Sequence, residues 1–184
     1  MRVLSLCHLC PYVTCHSARC KWQRKSLCGK ETRGMSEMLT TSELSVFATG
    51  IMAGAFLFAT VGLRPAVAAL GAREHVLSRQ HLIRRLSRVM PILMLFSVAS
   101  CGAVLWTSGT QVGSGSQLVA CLLSASTFLI TLSVNIPLNR RFLTWSPEAP
   151  PADWQHYVQR WNAADSVRLI AAVGAFAAAL YGVS

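Results

Sequence analysis

Two short stretches hold the residue types and spacings that could do chemistry. In NIPLNRRFLTW, which begins at Asn135, Asn135 and Asn139 stand four apart and share a helix face. Pro137 between them frees the carbonyl of Ser133 from its helical bond, and Arg140 and Arg141 follow. In PADWQHYVQRWNAADSVRLIAA, the positions Trp154, Val158, Trp161, Asp165 and Arg168 step by four and three along one helical stripe, with Arg160 beside it. Asp165 and Arg168 can pair at i,i+3. If that stripe faces a protein interior, an acid and a base enter it together, and an ionisable pair inside a membrane marks a functional site by default. Each stretch also has a plainer reading. The first would be a prolyl kink whose loose carbonyls are covered by asparagine amides, with arginines reaching to headgroups. The second would be an interfacial aromatic belt with an exposed ion pair worth a few tenths of a kcal/mol.

The elements that must position these residues are apolar spans. The chain has 184 residues, 53% hydrophobic and 13% charged, against about 25% charged in an average soluble domain. Four runs read as membrane spans: 43–63, 90–106, 117–138 and 167–183. The expected fold is an all-α transmembrane four-helix bundle. The first span should start at an N-cap on Thr41 or Ser42, and its Gly50, Ala53, Gly54 and Ala55 should let neighbouring helices approach. Residues 73–89 read as an amphipathic helix, with Val76, Leu77, Ile83, Leu86 and Val89 on its apolar face, leading into the short second span. TSGTQVGSGS, at 107–116, reads as a turn, and a last helix should begin near Ala152 or Asp153.

Residues 1–34 differ in composition. They hold seven Lys/Arg against Glu31 alone and five of the seven cysteines: Cys7, Cys10, Cys15, Cys20 and Cys28. Cys7 and Cys10 have the spacing of half a zinc site, but no regular second half follows, so the expectation is a tail without a metal. The net charge of +10 comes with no nucleic-acid-binding motif and reads as interfacial anchoring. Six arginines follow the first span, none follow the second and three follow the third. The positive-inside rule then puts the first and third loops in the cytoplasm and both termini outside. A basic tail opposes that orientation, so Met35 is the expected start and 35–184 the membrane domain. Many alanines and an excess of Arg over Lys suit a GC-rich genome and a bacterial plasma membrane.

The pattern Asn135-x-Pro137-Leu138-Asn139 with Phe142, Leu143 and Trp145, followed by Trp154, Arg160, Trp161 and Arg168, resembles the anthrone oxygenase-like family of small four-helix membrane proteins. Gln80-His81 and the Gly/Ala-rich first span are also similar to it, and the resemblance runs from about Ser42 to the C-terminus. Many members carry a histidine, or sometimes an asparagine, where this chain has Asp165. The resemblance implies oxidation of a hydrophobic aromatic or quinone-like molecule by dioxygen with no cofactor and no metal. A base removes a proton from an activated methylene, and the enolate reacts with oxygen. Asp165 or His81 would be the base; Arg168, Arg160, Asn135 and Asn139 would steady the oxyanion; Trp154 and Trp161 would stack the substrate. Membrane lipids are the other expected partner, nucleic acid is not one, and a homo-oligomer is compatible with the chain. The competing reading is a non-catalytic bundle whose Asn/Arg/Trp cluster is structural or binds lipid headgroups. A transporter is a third, without a visible inverted repeat to support it.

Overall fold

The computed structural model describes residues 41–108 and 114–183. Every regular element among them is helical. Four helices follow in turn: α1 (Thr41–Ala68), α2 (Ala72–Ser108), α3 (Gly115–Leu143) and α4 (Trp154–Tyr181). Each is long and apolar enough to cross a membrane. The all-α four-span architecture is thus as the sequence leads one to expect. The boundaries differ in part. The amphipathic stretch does lead into the second span, the two forming one helix that continues through Pro91. The last helix begins at Trp154, beside the expected Ala152 or Asp153, and the fourth span is its latter part. Thr41 and Ser42 already lie within α1, and 107–108 and 114–116 are helical rather than turn. The readings of residues 1–34 and of Met35 as the start lie outside the described residues.

The packing is that of a bundle in lipid. Large apolar side chains such as Phe47, Phe58, Ile92 and Ile170 point outward and are more than half exposed. The interior is lined instead by small and hydroxyl residues: Ser45, Thr49, Ser97, Ala120, Ser124, Ala172, Ala175 and Ala179 are all buried. Lipid tails compete with side chains for apolar contact, so helices associate through close backbone approach and hydrogen bonds. Gly50 supplies one such approach, since a Cβ there would stand 3.1 Å from the Phe176 ring. Ala53 is buried as expected, whereas Gly54 is exposed with nothing near it.

Two π-helical turns interrupt the ladder, Phe58–Leu63 in α1 and Thr131–Asn135 in α3. Each stands just ahead of a proline, Pro65 or Pro137. A proline cannot donate to the carbonyl four residues back, and its ring clashes with that carbonyl. Opening the preceding turn by one residue relieves both faults without ending the helix. The widened bonds run from the Arg64 N–H to Ala59 O and from the Ile136 N–H to Thr131 O. In α3, hydroxyls of the widened turn bond back to the turn before it: Ser133 Oγ donates to Leu129 O at 2.8 Å and Thr131 Oγ1 to Thr127 O at 2.8 Å, and neither asparagine amide covers a carbonyl there. That leaves both asparagines available for other partners.

Candidate functional site: a buried ion pair beside an apolar cavity

Asp165 and Arg168 lie one turn apart on α4, and both are buried. Arg168 Nη2 donates to Asp165 Oδ1 at 2.6 Å, a short charge-assisted bond. Arg168 Nη1 donates to Thr131 Oγ1 in the α3 π turn at 3.0 Å. The other carboxylate oxygen is held from α1. Thr60 Oγ1, in that helix's π turn, donates to Oδ2 at 3.2 Å, and Arg64 Nη2 does so at 3.3 Å. Arg64 also donates to Ser166 Oγ and to Asn162 O, at 3.0–3.2 Å. Three helices therefore converge on one ion pair, α1 at its carboxylate and α3 at its guanidinium, and both π turns supply part of the convergence.

Asn135 and Asn139 face the same network. The Trp161 indole Nε1–H donates to Asn139 Oδ1 at 2.9 Å. With its amide oxygen turned toward the surrounding donors, the buried Asn135 accepts from Trp161 Nε1 at 3.2 Å and from Arg168 Nη2 at 3.1 Å. The two asparagines thus bracket one indole, as their spacing of four allows. The Arg168 guanidinium also lies over the Phe56 ring, 4.9 Å from its centroid. From α2, Gln80 Nε2 donates to the carbonyls of Phe142 and Trp145, each at 2.9 Å. These carbonyls stand in the last turn of α3 and just beyond it, so Gln80 ties α2 to the end of the asparagine-bearing helix.

A cavity of about 340 Å³ opens beside this cluster. All four helices contribute, and apolar side chains such as Phe56, Ile83, Leu86 and Met90 dominate its wall. Its polar residues include Asp165, Arg168, Asn135, Asn139 and Thr131. A mostly apolar chamber of this size with a few converging polar groups has the character of a small-molecule site. Among the described residues, no three His, Cys, Asp or Glu side chains come together as metal ligands.

The sequence matches the anthrone oxygenase family over residues 80–178. The chain belongs to that family. The matched stretch starts at Gln80 and is therefore shorter than the resemblance read from the motifs; α1, with Thr60 and Arg64, lies before it. No curated protein and no solved structure matches the chain.

Of the residues singled out in the sequence, the fold brings together Asp165, Arg168, Asn135, Asn139 and Trp161 at the cavity of this anthrone oxygenase family member. It leaves three outside the lining. His81 is exposed on the opposite side of α2 from the buried Gln80 and Ile83. Arg160 is exposed on α4. Trp154 is half-buried, its ring edge-on to His75 with centroids 5.0 Å apart. Sequence reasoning missed Thr60, Arg64 and Arg79, which reads as one more loop arginine. The Arg64-Pro65 pair carried a weak signal: a proline can kink a helix rather than end it, so the arginine before it need not mark the surface.

Proposed function

We propose that the cavity is the site of a cofactor-independent oxidation in which dioxygen converts an activated methylene of a flat, hydrophobic aromatic molecule to a carbonyl. The observation that carries this is the juxtaposition of a buried carboxylate–guanidinium pair with an apolar cavity of about 340 Å³. That volume suits a ligand of roughly three fused rings. Asp165 takes a proton from the methylene, and the electrons pass into an enolate. Thr60 and Arg64 yield Oδ2 to the substrate during this step; Arg64 has Ser166 and Asn162 as other partners. Arg168 and Asn135 steady the charge on the enolate oxygen. The enolate transfers an electron to dioxygen, and a carbon–oxygen bond then forms to give a peroxide. The peroxide takes up the proton, and loss of water with the second methylene hydrogen leaves the carbonyl. One anthrone and one dioxygen become one anthraquinone and one water.

The second reading, a structural network, is favoured by one specific observation: both oxygens of Asp165 already accept hydrogen bonds from three side chains. Oxygen uptake separates the two. Purified protein supplied with an anthrone should consume dioxygen, and Asp165→Asn and Arg168→Ala should lower the rate by about 100-fold or more, the usual cost of losing a general base or an oxyanion donor. Equal rates in all three proteins would leave the cluster a structural role. The charge distribution favours an orientation with the cavity end of the bundle toward the cytoplasm of a bacterial plasma membrane. The connections after α1 and after α3 both lie at that end, and most of the arginines of the described residues sit on the helix segments that flank them.

A further inference from the structure

The cavity's charges do not balance. Among the described residues, Arg64, Arg79, Arg140 and Arg168 line it, against Asp165 as the one lining acid. Arg64 and Arg168 share that carboxylate, and Arg140 is exposed. Arg79 is different. Its guanidinium lies 4.7 Å from the Trp161 ring centroid and 5.0 Å from that of Phe142. It forms no ion pair with any described residue, and its Nε, like those of Arg64 and Arg168, is buried without an acceptor. A guanidinium stays protonated in proteins, so it cannot escape the cost of burial by losing its charge. Aromatic faces offset part of that cost but accept no fork of hydrogen bonds. The missing partner is an anion, and the space beside Arg79 is the cavity itself.

We infer that the cavity takes an apolar aromatic molecule bearing one anionic group, and that Arg79 is the residue that recognises that group. This rests on the reading of the cavity as a ligand site and adds the ligand's charge. A carboxylate fits the assignment best, because its two oxygens match the planar guanidinium fork. The ring faces of Trp161 and Phe142 hold the guanidinium in place, so little side-chain freedom is lost on binding. The rest of the ligand would lie along the apolar wall of α2, toward Met90 and Pro91. Asp165 remains free of this role, which keeps recognition and proton transfer on separate groups.

The test uses a matched pair of probes, anthracene-2-carboxylate and its methyl ester. Binding is measured to the full chain in phosphatidylcholine nanodiscs, with empty discs subtracted. The unmodified protein should bind the carboxylate at least about tenfold more tightly than the ester, the scale of one charge-assisted contact. Arg79→Gln should abolish that preference, and Arg79→Lys should keep part of it, having the charge without the fork. Equal affinity for acid and ester in the unmodified protein overturns the inference while leaving the cavity as a site for neutral aromatics. A preference that survives Arg79→Gln also overturns it. If adding phosphatidylglycerol to the discs displaces the carboxylate, the same arginine serves a lipid phosphate, and the assignment to a small aromatic acid falls. An anion preference without oxygen uptake from an anthrone would uphold this inference and remove the oxidation.

Discussion

The two ends of the bundle are built on opposite principles. At the end holding Gln117 and Ala179, small residues fill the interior: Cys101, Ala120 and Ala179 are fully buried against one another. The bonds there are modest, as where Gln117 Nε2 donates to Ala179 O at 3.4 Å. At the other end the interior holds Phe142, Trp145, Trp161 and several arginines, and the same four helices stand apart around a cavity. Both π turns lie toward this second end. Close packing of small residues holds the helices together at one end, which leaves the other free to carry irregular backbone and buried charge. Such features cost stability and persist where the surrounding fold over-determines them.

The sharpest way to break this contrast is to remove one member of the buried pair. Arg168→Ala should cost up to about 3–5 kcal/mol, because it removes the shorter of the two ion pairs of a buried carboxylate and leaves it with Arg64 as its charged partner. It also leaves Thr131 and Asn135 without their guanidinium donor. The double replacement Asp165→Leu/Arg168→Met should recover most of that loss, since apolar residues of similar volume often replace a buried pair at little cost. Chemical unfolding in detergent measures both. A double variant as unstable as the single one would mean the pair itself holds the bundle together.

A second comparison adds volume at each end. Ala120→Leu, in the closely packed end, should cost about 1–3 kcal/mol through overpacking. Ala59→Leu, which lines the cavity, should change stability by less than about 1 kcal/mol, because the added atoms enter open space. It should nonetheless suppress oxygen uptake by occupying the substrate's room. Equal destabilisation at the two positions would mean the cavity end is as closely packed as the other.

What could be read beforehand follows the same division. The spans were legible because apolar runs near 20 residues have few other uses. The Trp154–Arg168 stripe was legible because helical spacing survives any environment. The inward face of α2 was legible only in part. An apolar-inside rule picks Val76 and Ile83, which are buried, and Leu86, which lines the cavity, but it also picks the exposed Val89 and passes over the buried His75 and Gln80. In lipid the rule reverses: apolar side chains can face outward, and polar groups that need partners turn inward. The cavity itself was also hidden, because it depends on two π turns that no periodicity announces. The prolines mark where a helix must adjust, yet a kink and a widened turn answer the same fault.

The smallest expected effect concerns His81, and it sharpens the assignment of the base. The sequence offers Asp165 and His81 as the base, and their locations separate them. Asp165 is buried at the cavity; His81 is exposed on the outer side of α2. A general base must come within hydrogen-bond reach of the proton it removes. His81→Ala should therefore leave oxygen uptake within about twofold of the unmodified protein, whereas losing a working base costs about 100-fold or more. Because His81 is exposed, its removal should leave the unfolding midpoint in place as well, so a fall in rate could not be ascribed to lost fold. A large fall with an unchanged midpoint would move the base from α4 to α2. It would also imply that the substrate meets the protein at its surface rather than in the cavity, and the Asp165–Arg168 pair would then be left the role of joining three helices.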